Sequence, residues 1–307
     1  MPSPQSRVME EFYVGLNKHL GDENLTTDLY RIVMEEVATV AAEPTNVTYE
    51  EVHCPGTVRP AIWCLPQLAS AAHVILYIHG GGFISGSPSS HRKVAAHLAK
   101  KAQCRALIID YRRAPEHRFP KQIEDVVAAY KWLIDDMGFS SKHIAFAGDS
   151  AGGNLTVSAA LTIQNLSLDI PAAIVAFSPW FDMRLTGESW QRNAGTDSLV
   201  QVEAMQGVID AYVGESSLDD PCLNLLRTDL NGLPSMYLTS GTAEVLEDDA
   251  ALLAENAKSA GNEVQLVRVD GMQHIWVMMA GNAPEADDSL SQAANFICRK
   301  MERNLDV

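Results

Sequence analysis

The sequence predicts an α/β protein with a mostly parallel central sheet and helices on both of its faces. From about residue 74 onward, short apolar segments typical of strands alternate with longer segments of helical periodicity. The segment 74–79, VILYIH, is a continuous apolar run, as expected for a strand buried on both faces. This βαβα order indicates a parallel sheet, because parallel strands are joined through helices.

The elements that come before this alternation are predicted from their own patterns. Residues 1 to about 45 contain two helical segments, whose apolar residues recur at helical spacing: Val8, Phe12 and Leu16, then Leu29, Val33 and Val37. Segments 48–53 and 60–65 have the pattern of strands, and we expect them to form a hairpin at the edge of the sheet. The later elements are strands at 74–79, 105–110, 143–147, 172–177, 235–240 and 264–269, and helices at 91–102, 123–135, 154–165, 248–260 and 289–301.

The stretch 183–230 interrupts the alternation. It is long and polar, and it contains one predicted helix at 202–213. We interpret it as an insertion at the carboxyl edge of the sheet, where loops line the active sites of α/β proteins.

Composition excludes several classes of function. The formal net charge is −16, whereas nucleic-acid-binding proteins usually carry a basic face. No stretch of about 18 apolar residues predicts a membrane span, and residues 1–16 lack the pattern of a signal peptide. The five cysteines show no C-x-x-C spacing, so we expect reduced thiols in a cytoplasmic protein rather than disulfides or a zinc site.

The strongest chemical signal is the sequence Gly-Asp-Ser-Ala-Gly at 148–152, which matches G-x-S-x-G. It follows a predicted strand and opens a predicted helix, which is the context of a nucleophile elbow in an α/β-hydrolase fold. Ser150 is therefore the candidate nucleophile. The alternative interpretation is a surface turn with an incidental serine, which the strand–turn–helix context disfavours.

A second motif, His-Gly-Gly-Gly-Phe at 79–83, directly follows the buried strand. Three glycines allow the backbone to approach a ligand and to direct N–H groups at it, as in an oxyanion hole. We assign the N–H groups of Gly81, Gly82 and Ala151 as the donors. A phosphate loop is the alternative, but no G-K-[ST] follows.

A serine hydroxyl needs a base, and in this fold the chain order is serine, acid, histidine. Of the nine histidines, only His274 follows Ser150, in a loop after a predicted strand. A loop histidine is usually a solvated side chain, but the order and the placement make His274 the candidate base.

The acid should follow the strand at 235–240. Glu244 lies nearest to the end of that strand and is the first candidate. Asp248 is the second candidate. Asp248 and Asp249 both stand where a helix is predicted to start, so capping that helix and pairing with its dipole are the simpler roles for them.

At this point the chain resembles the hormone-sensitive lipase family of α/β-hydrolase esterases. The residues that carry the resemblance are HGGGF at 79–83, DYRRAPEHRFP at 110–120, GDSAGG at 148–153 and GMQH at 271–274. Within the family, IWCLP, SPWFD and EVLEDDA are most similar to members described as monoterpene ε-lactone hydrolases. The family usually has aspartate where this chain has Glu244.

The resemblance implies a helical cap over the pocket, formed by residues 1–45 and about 183–230, on a hydrolase domain at 46–307. It implies that Phe83, Trp180 and Tyr212 line the substrate pocket, with packing of the cap as their alternative role. It also implies that Glu116 forms internal ion pairs. Many members are homodimers, although no residue of this chain indicates one.

The function predicted from the motifs and the resemblance is hydrolysis of small carboxylic esters by a serine carboxylesterase, with no metal and no organic cofactor. A lactone hydrolase with the same triad is the first alternative. A ligand receptor on this fold is the second, which His274 disfavours because such receptors resemble the family but lack that histidine. A lyase on the same scaffold is a third, by analogy of fold alone.

Overall fold

The central sheet has eight strands in the order β1-β2-β4-β3-β5-β6-β7-β8 in a computed structural model that describes residues 1–21 and 25–302. The strands are β1 (Val47–Val52), β2 (Ala61–Pro66), β3 (Ser70–Ile78), β4 (Cys104–Ile108), β5 (Ile144–Asp149), β6 (Ala173–Phe177), β7 (Ser235–Gly241) and β8 (Val264–Val269). The first two form an antiparallel hairpin at one edge, β2 pairs antiparallel with β4, and the other neighbours are parallel. The mostly parallel sheet and the edge hairpin predicted from the sequence are confirmed.

Helices cover both faces of this sheet. They are α1 (Pro4–Leu20), α2 (Thr27–Glu35), α3 (Pro88–Lys101), α4 (Lys121–Asp135), α5 (Ala151–Asn165), α6 (Ser189–Arg192), α7 (Val202–Val213), α8 (Glu247–Ser259) and α9 (Pro284–Lys300). No helix among the described residues is long and apolar enough to cross a membrane.

Alternation along β3 divides the core between the two faces. Ile75 and Tyr77 are buried with residues of α1, α3 and α9, whereas Leu76 and Ile78 are buried on the other face with residues of α4 and α5. Each such side chain contributes roughly 1.5–3 kcal/mol when fully buried. A shift of one residue in the pairing of β3 would move each of these side chains to the opposite face of the sheet, so this burial fixes the register of the strand.

Several elements begin earlier than their sequence patterns predict, among them two helices with a proline in the first turn and one strand. Helix α9 begins at Pro284 instead of 289, and α3 begins at Pro88 instead of 91. Proline fits the first turn of a helix because its missing N–H has no intrahelical partner there. Strand β3 begins at Ser70, where a register shift separates the Ser70–Cys104 pair from the regular ladder.

The N-terminal helices lie against the loops at the carboxyl edge of the sheet. The Arg31 guanidinium in α2 donates to the carbonyl oxygens of Ile84 and Ala114 and pairs with Glu116 at 2.6 Å. The ion pair that the resemblance implies for Glu116 is therefore present within the chain, and it lies near the surface, since the Glu116 side chain is 53% exposed. Residues 22–24 of the predicted cap segment and 303–307 of the predicted hydrolase domain lie outside the described residues.

Candidate active site

Ser150 stands at the apex of a sharp turn between β5 and α5. Its backbone has φ 52° and ψ −121°, a conformation that L-residues rarely adopt and that costs on the order of 1–3 kcal/mol. Its N–H donates to the carbonyl of Phe177 at 2.9 Å, and its carbonyl accepts from the N–H of Trp180. The side chain is 8% exposed. Hydrogen bonds to the end of β6 and to the loop after it therefore stabilise a turn that is unfavourable by itself.

The glycines of this turn allow backbones to approach closely. A Cβ atom at Gly152 would lie 2.0 Å from the carbonyl oxygen of Ile78, and one at Gly148 would lie 2.6 Å from the backbone of Gly152. Either side chain would separate α5 from β3. The two glycines of the G-x-S-x-G motif are thus required by packing around the turn, whatever the chemistry of Ser150.

Two hydrogen bonds connect the Ser150 hydroxyl to a buried carboxylate. Ser150 Oγ lies 3.0 Å from His274 Nε2, and His274 Nδ1 lies 2.6 Å from Glu244 Oε2. The other oxygen of Glu244, Oε1, accepts the Gly241 N–H at 2.7 Å. His274 and Glu244 are both buried. The three side chains that the sequence analysis singled out thus lie in contact, in the arrangement of a serine, a base and an acid.

The environment of the imidazole determines its pKa. Burial lowers the pKa of His274, but the hydrogen bond and negative charge of Glu244 outweigh that effect, and the charges of Asp197 and Asp149 act in the same direction. The pKa of His274 is therefore raised above 6.5. The same groups that raise it stabilise an imidazolium, which is the form a general base takes after accepting a proton.

Asp248 and Asp249 serve other parts of the chain. Asp248 accepts the N–H of Ser189 at 2.7 Å and pairs with Arg192 at 2.8 Å. Asp249 accepts the N–H groups of Phe181 and Asp182 at 2.7 and 2.8 Å. Both aspartates lie in the first turn of α8, as expected for pairing with the helix dipole, but the expected capping role is wrong, because their side chains bind backbone groups after β6 and in α6 instead.

The loop at 79–83 lies beside Ser150 with two of its three glycines in left-handed conformations. Gly81 has φ +106° and Gly82 has φ +62°, and a Cβ at Gly81 would lie 2.5 Å from the carbonyl oxygen of Ser85. Within residues 1–21 and 25–302, the N–H groups of Gly81, Gly82 and Ala151 donate to no acceptor. These three donors are free to bind an oxyanion.

His79, the first residue of this loop, has a structural role. Its ring stacks on Tyr111 with centroids 4.2 Å apart, and Nδ1 lies 2.8 Å from the Gly80 carbonyl oxygen. Complete burial, with the nearby His91 acting in the same direction, lowers the pKa of His79 to about 3. A neutral imidazole therefore supports the loop across the neutral pH range.

A cavity of about 450 Å³ opens above Ser150 and is mainly apolar. Gly81, Gly82, Ser150 and His274 line its floor. Helices α1, α2 and α7 and the loop before α7 supply most of its walls, with residues including Leu20, Met34, Leu199, Val200, Met205 and Val208. Residues from both predicted cap segments therefore enclose the space above the candidate nucleophile.

Of the three aromatic residues expected to line this cavity, only Trp180 does so. Phe83 and Tyr212 are fully buried, and their rings stack with centroids 3.7 Å apart and planes within 3°. Phe83 also packs against Trp180 at 5.7 Å. The expectation for Phe83 and Tyr212 is corrected, because their stack joins α7 to the glycine loop behind the cavity wall.

The histidine loop is held by two residues for which no sequence motif indicates this role. The Tyr13 hydroxyl in α1 donates to the His274 carbonyl at 2.9 Å, and Ser178 Oγ accepts the N–H of Ile275 at 3.0 Å. Tyr13 belongs to the helical segment 1–45 but lies outside the apolar series of Val8, Phe12 and Leu16. No sequence signal indicates that its hydroxyl reaches a residue 261 positions away.

No group of three or more histidine, cysteine, aspartate or glutamate side chains that could hold a metal ion occurs in the part of the chain that the structure describes.

A family model of the alpha/beta hydrolase fold matches residues 75–278, which include Ser150, Glu244, His274 and the glycine loop at 79–83. The chain belongs to this family. Among curated relatives, an acetyl-hydrolase of Streptomyces hygroscopicus is 31% identical over 97% of both chains. An esterase of Acinetobacter venetianus is 31% identical over 89% of both.

Solved structures agree with this assignment. An esterase from the bacterial hormone-sensitive lipase family has a TM-score of 0.92 and is 35% identical, covering 98% of this chain and 99% of that one. EstE5, in a crystal soaked with p-nitrophenyl butyrate, has a TM-score of 0.90 and is 30% identical over 98% and 99% of the two chains. The chain is an enzyme of the hormone-sensitive lipase family of α/β-hydrolases, and its activity is of the esterase class.

Proposed function

We propose that this enzyme is a serine carboxylesterase that hydrolyses compact carboxylic esters through an acyl-enzyme on Ser150. The observation that supports the proposal most is the pair of hydrogen bonds from Ser150 Oγ to His274 Nε2, at 3.0 Å, and from His274 Nδ1 to Glu244, at 2.6 Å. This pair lies at the floor of a cavity that also contains Gly81 and Gly82.

In the proposed first half-reaction, His274 Nε2 removes the hydroxyl proton as Ser150 Oγ attacks the ester carbonyl carbon. The carbonyl oxygen becomes an oxyanion and accepts hydrogen bonds from the N–H groups of Gly81, Gly82 and Ala151. His274 then gives its proton to the leaving alcohol, and the acyl group stays on Ser150. Glu244 holds the imidazole tautomer and stabilises the imidazolium.

In the second half-reaction, His274 activates a water molecule that attacks the acyl-enzyme. The same donors bind the second oxyanion, and Ser150 leaves with the proton that His274 returns. The products are a carboxylic acid and a regenerated enzyme. His274 and Glu244 are buried, which keeps bulk water away from their hydrogen bond and leaves the hydrolytic water as the one reactant that must enter.

The size of the cavity favours small substrates. Its volume of about 450 Å³ must hold both the acyl and the alcohol parts of an ester, and Trp180 occupies one wall. The acetyl-hydrolase name of the Streptomyces relative supports the same range. We expect p-nitrophenyl esters of two to four acyl carbons to react faster than those of about twelve carbons. A twelve-carbon ester as the fastest substrate would refute this size limit.

The decisive experiment is rapid mixing with p-nitrophenyl acetate. An acyl-enzyme predicts a burst of one p-nitrophenol per active site, if deacylation is slower than acylation. Ser150→Ala should fold normally and lose about 10⁶-fold in kcat, the scale of losing a triad nucleophile in a serine protease. Ser240→Ala is the matched control, because Ser240 is fully buried with no hydrogen-bond partner for its hydroxyl among the described residues. Retention of one tenth of the activity in folded Ser150→Ala would refute the proposal.

Lactones extend the same experiment. A panel of lactones and open esters tests whether cyclic esters are better substrates, and both chemistries depend equally on Ser150. A ligand that binds without turnover in the wild-type enzyme, with no ester hydrolysed, would instead favour the receptor alternative.

A further inference from the structure

The α6–α7 loop, residues 193–200, contacts the loop that carries Glu244. The Asn193 side chain donates to the Glu244 carbonyl at 2.8 Å, and the Thr196 hydroxyl donates to the Ala243 carbonyl at 2.9 Å. These bonds attach the cap insertion to the backbone of the candidate acid itself.

The same loop also contacts the loop that carries His274. The side chain of Gln273, the residue before His274, uses both ends of its amide. Its Oε1 accepts the Ser198 N–H, and its Nε2 donates to the Thr196 carbonyl, each at 2.8 Å. The α6–α7 loop therefore joins the loops of the acid and of the base.

At the centre of this arrangement lies the Asp197 carboxylate, which is 5% exposed. Its Oδ2 accepts the N–H of Val245, the residue after Glu244, at 2.9 Å. Its Oδ1 accepts the N–H groups of Leu199 and Val200, both at 2.9 Å, and these two residues line the substrate cavity. One buried side chain thus connects the acid loop to the cavity wall.

We propose that Asp197 is a positioning residue for ester hydrolysis, which holds the Glu244 loop in register with the cavity wall and adds a negative charge that favours the His274 imidazolium. This inference rests on the proposed roles of Ser150, His274 and Glu244. It goes beyond them because Asp197 lies outside the three-residue relay and contacts neither Ser150 nor the imidazole.

The charges around His274 give the proposal a measurable consequence. The negative groups that raise its pKa are Glu244, then Asp197, then Asp149, while burial acts against them. Tyr13 packs against the same loop through an uncharged hydroxyl, which donates to the His274 carbonyl. Removing the Asp197 charge should therefore lower the pKa of His274. An aspartate whose charge does not reach the imidazole would leave that pKa unchanged.

The test is the pH dependence of kcat/KM for p-nitrophenyl acetate in Asp197→Asn. The acid limb of this profile reports the free enzyme's base, which must be neutral to react. The limb should move to lower pH than in the wild-type enzyme. In addition, kcat should fall, because the asparagine amide cannot accept all three backbone N–H groups that the carboxylate accepts. We expect a loss of about 10- to 100-fold, the scale of a small misplacement of catalytic groups. KM should rise, since Leu199 and Val200 lose their anchor.

Asp182→Asn is the matched control. Asp182 is also a buried aspartate after β6, and its carboxylate accepts the N–H groups of Arg184 and Thr186. Its charge is not among those that raise the pKa of His274. This variant should keep the wild-type acid limb and a kcat within about threefold. An Asp197→Asn profile identical to that of Asp182→Asn would overturn the proposal.

Two further measurements keep the test decisive. If Asp197→Asn does not fold, Asp197→Glu keeps the charge and changes the length. It should then show a wild-type acid limb with a reduced kcat, and a wild-type kcat would overturn the positioning role. Labelling of Ser150 with a fluorophosphonate is measured in parallel on the wild-type enzyme. Absence of that label would refute the proposed function, whereas a labelled Ser150 with an unshifted Asp197→Asn profile would refute only the role of Asp197.

Discussion

Replacing Glu244 with glutamine should remove most of the activity while the fold remains. Both carboxylate oxygens of Glu244 act as acceptors, one for His274 Nδ1 at 2.6 Å and one for the Gly241 N–H at 2.7 Å. A glutamine side chain has one oxygen and one NH₂ group. Whichever way the amide is turned, its NH₂ faces a donor, so either the imidazole tautomer or the Gly241 contact is lost.

The expected loss is large because the charge also disappears. Neutralising the triad acid of a serine protease lowers kcat by about 10⁴, which corresponds to roughly 5.4 kcal/mol of transition-state stabilisation. We expect a loss of that order in Glu244→Gln. Glu244→Asp keeps the charge but shortens the side chain by one carbon–carbon bond of about 1.5 Å. It should therefore fall between the wild-type enzyme and the glutamine variant.

Asp248→Asn is the control for this prediction. Asp248 lies one helical turn further along and binds the Ser189 N–H and Arg192, so its loss should change stability by at most about 1–2 kcal/mol and kcat very little. The assay is initial-rate kinetics on p-nitrophenyl butyrate, with circular dichroism to verify folding. An active Glu244→Gln variant together with an inactive Asp248→Asn variant would refute the reasoning.

Three other predictions concern pH and packing. First, kcat/KM should fall as the pH drops through the raised pKa of His274, with a midpoint above 6.5, and a midpoint clearly below 6.5 would contradict the influence of Glu244. Second, burial raises the pKa of Asp249 to about 8, so the folded state favours the protonated carboxyl. The stability linked to that protonation is complete below about pH 4 and is lost as the pH rises through about 8. The free energy of unfolding, measured in urea between pH 5 and 8, should decline by up to about 1.4 kcal/mol per pH unit because of this group. Asp249→Asn should remove this decline. Equal slopes in the two proteins would show that Asp249 is ionised throughout. Third, Tyr212→Phe should cost almost no stability, because the Tyr212 hydroxyl has no hydrogen-bond partner among the described residues, whereas Tyr212→Ala should cost about 3–5 kcal/mol in thermal unfolding. A large change in KM for Tyr212→Phe would return this residue to the substrate pocket.

The candidate site was largely predictable from the sequence because each of its parts follows a strand. Ser150 was predicted from a motif between a strand and a helix, and His274 from its order in the chain. In a parallel sheet the carboxyl ends of β5, β7 and β8 meet at one edge, so loops far apart in the sequence converge there. Local pattern and topology together therefore bring Ser150, Glu244 and His274 into one place.

The residues that were missed depend on contacts that no local pattern encodes. Tyr13 and Asp197 reach the triad loops from a helix and from an irregular loop, and neither belongs to a motif. For Phe83 and Tyr212, the sequence shows only that large aromatic residues belong to the loop and the cap. Whether such a ring lines a cavity or packs behind it depends on the crossing of α7 over the glycine loop, which is a tertiary property.

Labelling the active enzyme with a fluorophosphonate and locating the adduct by peptide mass spectrometry tests the central claim most directly. A phosphonate reacts with a serine that a neighbouring base activates, and it leaves a covalent mark that does not depend on the choice of substrate. We expect a single adduct, on Ser150, and the fraction of Ser150 that is labelled should equal the fraction of esterase activity that is lost. An adduct on another serine, or complete loss of activity with Ser150 unmodified, would contradict it.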